Sequence, residues 1–177
     1  MDARMVKSRR ALAEALLALL ENRPFDQITI REITAKANIG YATFFRHYPT
    51  KEALLDDFAA GEVEALLQRS FPLLWAEGSA KAARALVDFV EERIGLWSAL
   101  LTGGAAATVR EEFIRRARQL AEQAEQPETW LPNDLKIIYG VGGTIDILAW
   151  WIPRREEISK DRLAGILVKL VIDPLIT

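Results

Sequence analysis

The sequence predicts an all-α protein, and three observations predict it. Apolar residues recur at three- and four-residue spacing in segment after segment, as in Leu163, Ile166, Leu167, Leu170 and Val171. That is the period of a helix with one buried face. Residues that cap helix starts stand just ahead of such segments: Thr29, Thr50, Ser79 and Ser159. Residues that end helices follow them: Asn22-Arg23-Pro24, Asn38-Ile39-Gly40, Pro49, Pro72, Gly103-Gly104 and Pro174. A chain of 177 residues suits one or two small domains with a sizeable core.

In order, residues 1–5 are expected to fray. Lys7 to Glu21 reads as an amphipathic helix with Val6, Ala13, Leu16, Leu17 and Leu20 inward. Arg4, Lys7, Arg9 and Arg10 cluster at its start, where the helix dipole disfavours positive charge. Phosphate contact is one reading of that cluster, and a solvated face is the other. Phe25 and Ile28 turn back into a small three-helix core. Thr29 with Glu32 makes a capping box, flanked by Ile28 and Ile33 at staple spacing. The short helix Ile30 to Ala37 turns Ile33 and Ala37 inward and offers small Ala35 to a crossing helix. Asn38 tolerates a left-handed backbone, and Gly40 suits a sharp turn. Tyr41 to Tyr48 is a second short helix, anchored by Phe44 or Phe45, and Pro49 stops it.

Helix, tight turn, helix is the arrangement that sets a short second helix into a DNA major groove. Tyr41, Thr43, Arg46 and His47 supply donors and stacking groups on that helix. A helical hairpin inside some other core is the competing reading.

Lys51 to Arg69 is expected as a linking helix with Leu54, Leu55, Phe58, Leu66 and Leu67 inward and Pro72 closing the segment. Ser79 caps one long helix, Ala80 to Leu101, with Ala83, Leu86, Val87, Val90, Ile94, Trp97 and Leu101 in its stripe. Ala105 to Gln126 follows, with Val109, Phe113, Ala117, Leu120 and Ala124 on one face. Its Arg110, Arg115, Arg116 and Arg118 interleave with Glu111, Glu112 and Glu122, which favours a solvated face over a second nucleic-acid patch. Pro127 to Pro132 is a linker holding Trp130. Asn133 to Ile152 is a nearly all-apolar helix. Gly140, Gly142 and Gly143 in its middle must admit either a close helix or a ligand, since helical glycines each cost about 1 kcal/mol relative to alanine. Their spacing is not that of a nucleotide-binding loop. Ser159 caps the last helix, Ile158 and Leu163 staple it, and Pro174 ends it.

Phe25, Thr29-Ile30-Arg31-Glu32-Ile33, Ala37, Ile39, Thr43-Phe44-Phe45-Arg46-His47-Tyr48 and Pro49-Thr50-Lys51-Glu52-Ala53-Leu54 together resemble the DNA-binding half of the TetR/AcrR family of regulators. The resemblance runs from about Arg9 to Phe58. It implies a helix-turn-helix DNA-binding domain at 1–50. It implies a helical ligand-binding and dimerisation domain at 51–177, with 51–69 as the linking helix. It places Thr29, Thr43, Lys51 and the basic N-terminal arm at phosphates, and Gly40, Tyr41, Ala42 and Arg46 near base edges. His47 is a further phosphate candidate. Phe45 stands where the family often has a tyrosine whose hydroxyl meets phosphate, so that contact is missing. The turn Asn38-Ile39-Gly40 and Tyr41 also depart from the family pattern, which leaves base preference open.

The apolar last two helices suggest a four-helix bundle between two copies, with Ile145, Leu148, Trp151, Leu163, Ile166, Leu167 and Leu170 in it. A homodimer also explains how so short a helix reads enough base pairs, since two heads read a palindromic operator. Trp75, Phe89, Trp97, Phe113, Trp130, Tyr139 and Trp150 are candidate walls for a small apolar effector, or else ordinary core. Control by a protein partner, or by no small molecule, is the alternative.

Composition narrows the classes further. Residues 1–55 hold nine Lys/Arg against six Asp/Glu, and residues 56–177 hold fourteen against nineteen, a basic head on an acidic body. There is no cysteine, and His47 is the only histidine, so no metal site, cofactor site or Ser-His-Asp triad is expected. The chain is therefore not expected to be an enzyme. No signal peptide and no membrane-length apolar run are read, and a cytoplasmic location is expected.

Overall fold

A computed structural model describes residues 3–102, 106–123 and 130–176, and among them every regular element is helical. α1 (Ala3–Leu20) leads through a 3-10 turn (Phe25–Gln27) to α2 (Ile30–Ala37), α3 (Tyr41–His47) and α4 (Lys51–Ala76). Then come α5 (Ser79–Glu92), α6 (Ile94–Thr102), α7 (Ala106–Gln123) and α8 (Asn133–Trp151). After a 3-10 turn (Ile152–Arg154), α9 (Lys160–Leu167) runs through a π-helical segment (Val168–Ile172) into α10 (Asp173–Ile176).

The first helix starts earlier than expected, at Ala3, and its buried stripe is Leu12, Ala15, Leu16 and Leu20. Val6 is exposed, and Ala13 and Leu17 are only half-buried. Leu12, Leu16 and Leu20 stand four apart, so they share one side of the helix. α2 is capped as read: Thr29 Oγ1 accepts from the Glu32 N–H, and the Glu32 side chain accepts from the Thr29 N–H. Ala35, expected under a crossing helix, is exposed, and Thr34 is the buried neighbour of Ile33.

α4 does not end at Pro72. It continues to Ala76, with Pro72 on its exposed side. Proline removes one helical N–H, but Pro72 and Gln68, whose carbonyl is freed, both lie on the exposed side, while Leu67 and Ser70 are buried. Gly78, with φ of +93°, then closes α4 through its N–H to the Leu73 carbonyl, and it also precedes α5 as N-cap. Ser79 is thus the first residue of α5 rather than its cap.

The long helix expected from Ala80 to Leu101 is two helices, broken at Arg93 (φ −135°, ψ 47°). The apolar spacing continues through the break, which hides it from a periodicity reading. Two contacts account for it. Arg93 pairs with Glu62, which is buried in α4. Gly95 lies so close to the end of α1 that a Cβ there would fall 2.8 Å from the Leu20 carbonyl carbon. The chain bends at Arg93 to bring α6 onto α1.

One core runs through head and body. Leu12, Leu16, Ile28, Ile33, Phe44, Leu54 and Leu55 fill the head, and Val63, Leu66, Val87, Trp97, Leu100, Leu148, Trp151 and Leu163 fill the body. Trp151 Nε1 donates to the Ile158 carbonyl at 2.8 Å and fixes the turn into α9. Ser159 caps α9 by accepting from the Arg162 N–H. Pro174 lies inside α10 rather than ending the helix. The expected break at Gly103-Gly104, the end of the expected helix at 124–126 and residues 127–129 of the expected linker lie outside the described residues.

The α8 glycines admit close neighbours. A Cβ on Gly140 would meet Leu175 at 2.8 Å, one on Gly143 would meet Val171 at 3.1 Å, and one on Gly142 would run into the Arg110 guanidinium. By length and hydropathy alone, Asn133–Arg154 reaches the measure of a membrane span, which corrects the expectation that no segment does. Its inner face of Val141, Ile145, Leu148 and Trp151 is buried in the core.

Candidate nucleic-acid interface

The head presents α3 on a rigid base. Asn38 takes the left-handed conformation (φ 53°, ψ 44°) that turns the chain out of α2, and the Ile39 N–H returns to the Thr34 carbonyl at 2.9 Å. Gly40, expected to make the sharp turn, instead has an ordinary φ of −60° and serves as the N-cap of α3. Of the two phenylalanines, Phe44 is wholly buried, which is worth about 1.5–3 kcal/mol. Phe45 faces out at 46% exposure.

Tyr41, Ala42, Phe45 and Arg46 therefore form the outer face of α3, with Thr43 and His47 half-buried at its flanks. The Tyr41 and Phe45 rings meet edge-on at 5.3 Å, and the Arg31 guanidinium lies 5.8 Å from the Tyr41 ring centre. This exposed ladder of cation and rings holds Tyr41 in place. His47 Nδ1 is buried with no hydrogen-bond partner among the described residues.

Two residues expected at phosphates have structural duties. The Thr29 hydroxyl donates to Glu32 Oε2 at 2.8 Å while accepting from the Glu32 N–H. The Thr29 N–H, the Arg23 guanidinium and that hydroxyl hold the Glu32 carboxyl down at about 2. Lys51 Nζ donates to the carbonyls of Phe25, Asp26 and Ile28 at 2.9, 3.2 and 2.9 Å, and lies 4.6 Å from the Phe25 ring centre. It clasps the loop that precedes α2.

Arg9, read as part of a basic arm, belongs to a network that the sequence did not suggest. Arg9 Nη2 donates to Asp57 Oδ1 at 2.7 Å and Nε donates to the Tyr48 hydroxyl at 3.0 Å. That hydroxyl in turn donates to Asp57 Oδ2 at 2.6 Å. The pair with Tyr48 and Asp57 raises the Arg9 pKa, and burial raises that of Tyr48. The network ties α1, the end of α3 and α4 together. No local spacing links positions 9, 48 and 57, so only the packed fold reveals it.

Residues 12–58 match the family model described as "Bacterial regulatory proteins, tetR family", which spans this head from α1 into α4. Over those residues the chain is similar to the DNA-binding head of the TetR family. A Bacillus subtilis (strain 168) protein named "Uncharacterized HTH-type transcriptional regulator YxbF" is 43% identical over 70 residues, 39% of this chain but only 16% of that protein. The protein of Klebsiella pneumoniae (strain ATCC 700721 / MGH 78578) named nucleoid occlusion factor SlmA is 26% identical over 144 residues, covering 78% of this chain and 72% of that one. The crystal structure of Thermus thermophilus FadR, a TetR-family transcriptional repressor in complex with lauroyl-CoA, superposes with a TM-score of 0.64. It is 19% identical over 96% of this chain and 95% of that one.

The body holds an apolar cavity of about 190 Å³. α4 contributes Leu67, Phe71, Leu74 and Trp75 to its wall, α7 contributes Phe113 and Ala117, and α8 contributes Lys136, Ile137 and Gly140. The C-terminal helix closes it with Val171 and Leu175. Of the seven aromatics considered for an effector site, Trp75 and Phe113 line this cavity. Phe89 and Trp97 are core instead, stacked edge to face at 6.3 Å. Trp130, Tyr139 and Trp150 are exposed. Trp150 carries the Arg154 guanidinium over its ring at 5.3 Å.

The residues expected between two copies also divide. Ile145, Leu148, Trp151, Leu163 and Leu167 are at most 5% exposed within the single chain, so they lie beneath any interface rather than in it. Ile166 is half-buried and Leu170 is 59% exposed. Alternation of apolar residues around all of α8 made its two sides look alike. Its exposed side carries Leu135, Ile138, Tyr139 and Trp150.

Proposed function

We propose that this chain is a homodimeric repressor that releases a palindromic operator when a small apolar molecule enters the body cavity. The observation that carries this reading is that cavity and head share one element, α4. Its 26 residues make a rod of about 39 Å at roughly 1.5 Å per residue. Leu67, Phe71, Leu74 and Trp75 near its far end line the cavity, and Asp57 near its start is tied to Tyr48 and Arg9. An effector in the cavity favours the packing in which α4 is tilted, so the heads separate and the population shifts away from the DNA-bound state.

Two copies meet through the outward side of α8, with Leu135, Ile138, Tyr139 and Trp150, and through Ile166 and Leu170. An apolar stripe of this extent on a chain of this size favours a partner. Each copy then turns its α3 into one of two major grooves about one helical turn apart. Gly40, Tyr41, Ala42, Thr43 and Arg46 read base edges, while His47 and the basic start of α1 meet phosphate. The protein acts in the cytoplasm, where it meets that duplex. The lauroyl-CoA held by the Thermus thermophilus repressor supports no more than that this fold can admit an apolar effector.

The test is a gel shift at low salt with the DNA that flanks the gene. Tyr41→Ala and Arg46→Ala are each expected to weaken the specific shift by roughly fivefold to a hundredfold, the range of one base contact. A specific shift that survives both substitutions would show that α3 is not the reading helix. Tryptophan emission, with Trp75 in the cavity wall, reports on effector binding across a compound library. If no compound changes both emission and DNA affinity, the regulator answers to a protein partner or to DNA alone. Light scattering on the free protein reads the dimer.

A further inference from the structure

Among the described residues, the cavity wall contains one charged side chain, and that side chain has no ion pair. Lys136 is the only charged residue among those that line it; apart from the Thr144 hydroxyl and the Trp75 indole, the rest of the wall is apolar. The other lysines that are half-buried have partners: Lys51 donates to three carbonyls, and Lys160 pairs with Asp88 and Glu91. Lys136 has no ion pair among the described residues, although it is half-buried. A half-buried lysine beside an apolar hollow is a ready partner for an anion that enters it.

The backbone sets its direction. Lys136, Gly140 and Thr144 stand four apart and so form one stripe of α8. Gly140 leaves the floor between the other two without a side chain. Lys136 therefore stands at one end of that stripe, and Thr144 stands two turns, about 12 Å of helix, further along at roughly 1.5 Å per residue. The cavity, at about 190 Å³, somewhat exceeds the roughly 150 Å³ that accommodates benzene. Its occupant is of the size of one ring with a short tail, or an alkyl chain of similar bulk.

We infer that the effector is a small amphiphilic acid, its apolar body in the cavity and its carboxylate paired with Lys136 Nζ. This rests on the effector-released reading above. It is tested on the whole protein with octanoate and 3-phenylpropanoate, each against its matching alcohol, 1-octanol and 3-phenylpropanol. Binding is read by tryptophan emission, and release is read by fluorescence anisotropy of labelled operator DNA.

Each acid is expected to bind at least about tenfold more tightly than its alcohol, as one charge-assisted hydrogen bond allows. Lys136→Met should bring the acids down to the alcohols while leaving the alcohols, the melting curve and ligand-free DNA affinity unchanged. Lys136→Arg should keep the preference. Alcohols that match the acids in the wild type, or an acid preference that survives Lys136→Met, overturns the inference and leaves the cavity reading standing. If none of the four probes binds by either readout, the cavity reading itself falls and takes the inference with it.

Discussion

Replacing Gly95 by alanine tests the joint between head and body. The new methyl carbon would run into the Leu20 carbonyl oxygen and stand 2.8 Å from its carbonyl carbon and 3.4 Å from the Glu21 nitrogen. Carbon atoms ordinarily pack at about 3.5–4.0 Å, so the methyl is about 1 Å too close to main chain that has no rotamer to change. Overpacking of this kind costs about 1–3 kcal/mol. Against it stands a gain of up to about 1 kcal/mol from removing a helical glycine. The net expectation is a loss of about 1–2 kcal/mol, or a melting temperature lower by about 2–8 °C for a chain of this size. Gly61→Ala is the matched control, because Gly61 is exposed in α4 and a Cβ there meets nothing within 4 Å. It should raise the melting temperature by a few degrees. Differential scanning calorimetry reads both. If Gly95→Ala melts at or above the wild type while Gly61→Ala behaves as stated, α6 does not press on the end of α1 and the reason given for the break at Arg93 is wrong.

Three further outcomes follow from the head. The Glu32 carboxyl is lowered from 4.5 to about 2, so its stabilising effect is complete above pH 4.5 and is lost as pH falls through about 2. The stability difference between wild type and Glu32→Ala, measured by urea titration, should stay constant above about pH 5 and shrink towards pH 2; a difference unchanged at pH 2 would mean that the carboxylate is not its source. Lys51→Met should cost about 1–3 kcal/mol through the lost carbonyl clasp while leaving the salt dependence of DNA binding unaltered; a slope reduced by about one would return Lys51 to a phosphate. Tyr48→Phe removes the hydroxyl shared by Arg9 and Asp57 and should lower the urea midpoint by the equivalent of about 1–2 kcal/mol, while an unchanged midpoint would deny the network.

How legible each feature was depended on how far apart its residues stand in the chain. The Thr29 and Glu32 box, the turn at Asn38, the end of α3 before Pro49 and the cap at Ser159 each involve groups within a few positions of one another, and each could be read directly. The outer face of α3 was only partly open: either phenylalanine could have been the anchor, and packing buried Phe44 and left Phe45 outside. Where several outcomes satisfy the same local rule, reading failed. Pro72 follows a run that is apolar on one side, so whether the helix stops or continues depends on the water at its exposed flank. Ser79 has the right side chain for a cap, but Gly78 already turns the chain with a positive φ.

The sequence by itself determined the helical class, the capped helix-turn-helix and the position of α3, because hydrogen bonds and torsions among near neighbours decide those. Only the tertiary structure decided that α5 and α6 part at Arg93, that Arg9 and Lys51 brace the head, and which aromatics face a cavity, a core or water. Those outcomes depend on which distant segments exclude solvent from one another. Leu148 and Trp150 have similar apolar character and sit two residues apart, yet one is buried and the other is exposed. Burial belongs to the packed chain, and the identity of a residue only makes it possible.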